Sequence, residues 1–85
     1  MKGMKIYKYN GRCNISGKKI HELREKRQLT QEQLAAKMQV EGIPLRQKTI
    51  SRIEDGSRVV SDYELKTFAR IFHVTLEVLL EEEDE

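Results

Sequence analysis

The stretch QKTISRIEDG, Gln47 to Gly56, combines side chains that can hydrogen-bond nucleic acid with a spacing that would present them together. Gln47 and Ser51 stand four apart, as do Lys48 and Arg52, so on a helix they share one projecting side. Ile50 and Ile53 stand three apart on the opposite side, with Leu45 just ahead, and would anchor that helix to a core. The chemistry of the projecting side is specific. A glutamine donates and accepts together, which matches adenine N6 and N7. Lysine or arginine donates to guanine O6 and N7, and serine suits a base or a phosphate. No acid stands on this stretch before Glu54 and Asp55, so its first turn would not repel phosphate. An ordinary solvated helix face of mixed polarity is the alternative.

Other chemistries find little to work with. His21 and His73 fall on different segments, and Cys13 has no histidine beside it. Gly11, Gly17 and Gly42 are scattered rather than gathered in a phosphate-binding loop. A single cysteine with two histidines does not supply a zinc site of the C-x-x-C type. The expectation is therefore no enzyme, no metal and no cofactor. The lone cysteine also excludes an internal disulfide and suits a cytosolic location. No apolar run approaches the roughly 20 residues of a membrane span, and the N-terminus has no continuous apolar core of a signal peptide.

Eighty-five residues fit one small domain, and short helices with tight joints use so small a core most economically. Ser16 is a candidate N-cap for a first helix over about residues 17 to 28, with Ile20 and Leu23 inside. Thr30 and Gln33 form a capping box that opens a second helix, with Leu34, Ala35 and Met38 buried. VEGIPL, with Gly42 and Pro44, interrupts before the quoted stretch, which makes the third helix and ends at Gly56. Ser61 and Glu64 are a second capping box, for a fourth helix with Leu65, Phe68, Ala69 and Phe72 inside, ending near His73. Thr75 caps a short fifth helix that carries Leu76, Leu79 and Leu80. Residues 1–16 lack helical periodicity. Asn10-Gly11 would allow a hairpin, but a mobile arm is expected, since an isolated hairpin is marginal in water.

Charge is unevenly placed. Residues 1–30 hold nine Lys or Arg against two Glu, whereas residues 61–85 hold two against eight acids. A basic front suggests that a polyanion meets it, and the acidic tail EEEDE at residues 81–85 would repel one.

From Gly17 to Leu80 the chain resembles the Cro/phage-repressor type of helix-turn-helix domain, also called the XRE family. The resemblance rests on GKKIHELREKRQLTQEQLAAKM, TISRIEDGSR and SDYELKTFARIFHVTLEVLL in that order. It implies an all-α, lambda-repressor-like fold of five helices over residues 17–80, which leaves a basic flexible arm at residues 1–16 and an acidic tail at residues 81–85 outside it. By the resemblance, Gln47 reads adenine and Lys48 and Arg52 face bases or phosphates; Ser51, one turn after Gln47, is assigned to the same base-facing set from its place on the helix. Gln31 holds phosphate and steadies the reading glutamine, and Arg46 and Arg58 contact the DNA backbone. Arg24 and Glu54 match positions that pair across the first and third helices, so both are read as structural. There are three departures. The connection MQVEGIPLRQ is longer by about five residues than the usual tight turn. His73 stands where relatives carry Gly or Asn. The arm precedes the fold, and its Lys5, Lys8 and Arg12 could follow phosphates or enter the minor groove.

The function this implies is a sequence-specific, double-stranded-DNA-binding transcriptional regulator, expected to be a repressor. It is expected to act as a homodimer at least on DNA, in the cytoplasm at the nucleoid of a prokaryote or phage. The alternative is a protein-interaction module of the same fold, such as an antitoxin or adaptor, with a protein partner.

Overall fold

A computed structural model describes residues 8–82, with five α-helices in chain order: α1 (Gly17–Lys26), α2 (Gln31–Val40), α3 (Gln47–Asp55), α4 (Asp62–Phe72) and α5 (Leu76–Leu79). Both capping boxes form. The Thr30 hydroxyl accepts from the Gln33 amide and the Gln33 side chain accepts from the Thr30 amide; Ser61 and Glu64 repeat the pattern. Each box satisfies two backbone donors that a helix start leaves unpaired. Thr75 caps α5 by accepting from the Val78 amide.

Ser16 occupies the N-cap position of α1 but does not cap it. Its backbone is already in the right-handed helical region, and its side chain makes no cap bond. The Asn14 carboxamide oxygen instead accepts from the Gly17 amide at 2.7 Å. The first helix is also shorter than its pattern suggested. Gln28 turns left-handed at φ 57°, which stops the helical run after Lys26.

Four helices end the same way. Gln28, Gly42, Gly56 and His73 all take left-handed backbones. In each case the following amide bonds back five residues to a helical carbonyl: Leu29 to Arg24, Ile43 to Met38, Ser57 to Arg52 and Val74 to Ala69. This is the Schellman motif. Glycine adopts the conformation without penalty, whereas a residue with a Cβ is strained by about 1–2 kcal/mol. Gln28 and His73 carry that strain.

The core consists of Ile20, Leu34, Ala35, Met38, Leu45, Ile50, Ile53, Phe68, Ala69, Phe72 and Leu79. All five helices contribute, and Leu45 comes from the α2–α3 connection. Fully burying an aliphatic or aromatic side chain of this kind is worth about 1.5–3 kcal/mol. The amphipathic stripes read from the sequence therefore face inward, except that Leu76 and Leu80 remain substantially exposed.

The long connection is fixed at both ends. Gly42 closes α2, Leu45 is buried, and its carbonyl accepts from the Gln39 side chain. Arg70 of α4 pairs with Glu41 at 3.0 Å. The extra residues lengthen the loop without loosening α3, which packs on both α2 and α1.

The arm departs most from expectation, because it is docked from Tyr9 onward. Asn10 and Gly11, both at positive φ, make a two-residue turn, and Tyr9 and Arg12 exchange both backbone hydrogen bonds. Tertiary bonds supply what an isolated hairpin lacks. The Cys13 amide donates to the Gly56 carbonyl at 2.7 Å, and Arg12 and Asn14 bond to α3. Arg12 therefore points into the fold, not along an exposed phosphate path. Lys8 is exposed, and Lys5 lies outside the described residues. Gly17 is where α1 meets the backbone of α3: a Cβ there would lie 2.1 Å from the Ile53 carbonyl oxygen.

Candidate nucleic-acid interface

The third helix presents the polar face that its sequence encodes. Ile50 and Ile53 are completely buried, while Arg46, Gln47, Lys48 and Arg52 are exposed and Ser51 is half-buried. Arg46 is the N-cap residue in an extended conformation and makes no cap bond. No acid occupies the first turn. Its unpaired backbone amides and the positive end of the helix dipole therefore lie at the end that carries Arg46 and Lys48. A shallow open cleft lined by Thr30, Gln31, Glu32 and Gln47 lies between the starts of α2 and α3.

A directed chain of hydrogen bonds runs from that cleft into the core. Gln47 Nε2 donates to Gln31 Oε1, and Gln31 Nε2 donates to Glu54 Oε1 at 3.0 Å. Glu54 is held by Arg24, whose Nε donates to Oε2 at 2.7 Å and whose Nη2 donates to Oε1 at 3.0 Å. His21 Nδ1 lies 2.9 Å from the same Oε1. The Glu54 side chain is 6% exposed and that of Arg24 is 10%. Burial alone would push the Glu54 carboxyl up. Hydrogen bonds from Arg24, His21 and Gln31 outweigh it and hold the carboxyl below the ordinary glutamate range.

The charge on Glu54 dictates the orientation of both amides. A carboxylate only accepts, so Gln31 must turn its NH2 group inward and its oxygen toward Gln47. Gln47 must then present an N–H to Gln31. Its second N–H and its carbonyl oxygen are left at the solvent side, side by side, as a donor–acceptor pair. Adenine offers the matching acceptor and donor, N7 and N6, at its major-groove edge.

Arg58 has a partner that sequence reasoning missed. Its guanidinium pairs with Glu64 through Nη1–Oε1 at 2.9 Å and Nη2–Oε2 at 3.1 Å, and Nη1 also donates to the Val59 carbonyl. Glu64 is buried and serves the α4 capping box as well. Burial would raise its carboxyl, but Arg58 overrides this and holds it low. Arg58 thus braces the α3–α4 loop through two of its three nitrogens. His21 was also missed, although it precedes Arg24 by three residues and so shares its face. Asn14 and Arg12 have no comparable signal, because their partners are backbone carbonyls some 40 positions away.

Two helices packed as α2 and α3 are, with a polar exposed third helix and its supporting amide chain, define a helix-turn-helix module. A model of the helix-turn-helix family matches residues 20–79, and the chain belongs to that family, in its Cro/phage-repressor (XRE) branch, whose domain is a DNA-binding regulatory module. No curated protein and no solved structure matches the chain. Among the described residues, no group of three or more His, Cys, Asp or Glu is placed to hold a metal ion, and no helix is long and apolar enough to cross a membrane.

Proposed function

We propose that the chain is a sequence-specific transcriptional regulator, acting as a repressor, that inserts α3 from Gln47 to Glu54 into the major groove of double-stranded DNA. The observation that carries this reading is the amide chain from Glu54 through Gln31 to Gln47, which presents a fixed donor–acceptor pair beside an acid-free helix start. A merely solvated glutamine has no need of such a fixed orientation. In this reading Gln47, Lys48, Ser51 and Arg52 face bases. Gln31 and Arg46 touch the backbone, and Arg58 reaches phosphate through the Nε edge that Glu64 leaves open.

One module of this size buries limited area on DNA, so useful affinity calls for two copies on a two-fold site. We assign α5 to the contact between copies, on the support of Leu76 and Leu80, which are 43% and 41% exposed one turn apart. Repression then follows from occupying DNA needed by the transcription machinery, in the cytoplasm at the nucleoid.

The test is selection of bound duplexes from a randomised pool at near-physiological salt, where non-specific binding is weak. The expected result is one enriched palindrome with half-sites about one helical turn apart. The double variant Lys48→Glu/Arg52→Glu should lose that duplex. Retained affinity in the double variant would remove α3 from the interface. Failure of the folded parent to enrich any sequence would favour a role in protein interaction.

A further inference from the structure

We infer that Arg12 and Asn14 are positioning residues for DNA reading: together they lock the carboxyl end of α3 and thereby set the pitch of its reading face. Both lie outside the residues matched by the helix-turn-helix family. The inference rests on the reading of α3 as the DNA-reading helix.

A helix end leaves its last four carbonyls without helical partners. In α3 these belong to Arg52, Ile53, Glu54 and Asp55. The Schellman turn supplies partners for the first two, through the Ser57 and Gly56 amides. The segment before α1 reinforces the second and supplies the third. Arg12 Nη2 donates to the Glu54 carbonyl at 2.9 Å, and Asn14 Nδ2 donates to the Ile53 carbonyl at 3.0 Å. A cation at this terminus is also favoured by the helix dipole.

Asn14 joins three elements at once. Its Nδ2 donates a second time, to the Arg58 carbonyl in the α3–α4 loop at 2.7 Å, while its Oδ1 accepts from the Gly17 amide at the start of α1. All the hydrogen-bonding capacity of its NH2 group is used within the fold. The Cys13 amide adds a bond to the Gly56 carbonyl. Gly17 and Gly56 make room for this clasp. A Cβ on Gly56 would come 2.6 Å from the Arg12 guanidinium carbon, and one on Gly17 would meet the Ile53 oxygen. The same turn of α3 that the clasp grips carries Glu54, which orients Gln31 and through it Gln47. A shift of this end is therefore transmitted to the reading amide.

The variants are Asn14→Asp, Arg12→Ala and Arg12→Lys, compared with the full-length parent by two readouts. Asn14→Asp keeps the acceptor for Gly17 and removes both donors to the α3 end. The first readout is hydrogen exchange of the Gly56 and Ser57 amides, which needs no DNA. Asn14→Asp and Arg12→Ala should speed exchange roughly tenfold, the scale of one lost helix cap. Arg12→Lys should restore part of the protection. The second is the affinity ratio between the selected duplex and a random one, measured over a salt series below the melting temperature of every variant. That ratio should fall roughly tenfold with the slope of affinity against salt unchanged, since no phosphate contact is lost.

Unchanged exchange in both variants would overturn the clasp. Faster exchange with an unchanged affinity ratio would overturn its link to reading. A salt slope reduced by about one unit in Arg12→Ala, with the ratio preserved, would make Arg12 a phosphate ligand instead. If the parent itself prefers no sequence, the proposed function fails and the link to reading fails with it, while the exchange data still decide whether the clasp holds α3.

Discussion

Glu54 illustrates how much one side chain can organise. It accepts from Arg24, His21 and Gln31 while almost wholly buried. Removing one member of such a pair strands the other, so Glu54→Ala should lower stability by about 3–5 kcal/mol, read as the shift in a denaturant midpoint. Gln47→Ala should behave oppositely. The side chain is exposed, so the melting temperature should hardly move, while affinity for the selected duplex drops by about 1–3 kcal/mol at a single base position. Equal losses for both variants in both assays would erase this division. The exposed polar face of α3 was legible in the sequence because each of its residues differs in kind from the apolar residues behind it. The Arg58–Glu64 pair was not, since nothing in either residue type distinguishes a loop arginine facing DNA from one facing a buried carboxylate.

At the scale of elements, the starts of helices were easier to read than their ends. Thr30–Gln33 and Ser61–Glu64 announce capping boxes through side chains that have few other reasons to be so spaced. The end of α1 carries no such mark, because Gln28 is an ordinary polar residue that turns left-handed just before Leu29, which packs against the core. That strain is removable. Gln28→Gly should raise stability by about 0.5–1 kcal/mol, the relieved strain being partly offset by the greater freedom of glycine in the unfolded chain. Gly17→Ala should do the reverse and more strongly, because α1 must back away from Ile53 to fit the methyl group. Thermal melts of the two variants, displaced in opposite directions from the parent, check both. The docking of the arm was out of reach of any local pattern: Tyr9 to Asn14 reads as a weak hairpin until its tertiary partners are known.

For the whole molecule, the two buried carboxylates set the response to acid. Glu54 and Glu64 both have folded-state pKa values held below the ordinary range, so each contributes stability that is complete above the unfolded value, about pH 4.3. That stability drains away as pH falls through the folded values. The melting temperature should accordingly be steady near neutrality and fall steeply below about pH 4.3. Glu64→Gln should flatten part of that acid limb while lowering the neutral plateau. An acid limb identical to the parent's would show that Arg58 does not perturb Glu64. The charge asymmetry legible in the sequence survives folding only in part. Lys19 meets Glu81 at 3.5 Å and the Tyr9 hydroxyl meets Glu82 at 3.5 Å, so the start of the acidic tail lies against the basic front.

The one-way chain from Glu54 to Gln47 also bears on ambiguity. Two neutral amides in contact have no preferred sense; either can rotate by half a turn and bond equally well. The negative charge at the buried end removes that freedom for both. A protein with Gln in place of Glu54 would keep the groups and lose the sense. Its outermost glutamine would then offer donor and acceptor in either order, and the selected duplex would show two letters where the parent shows one.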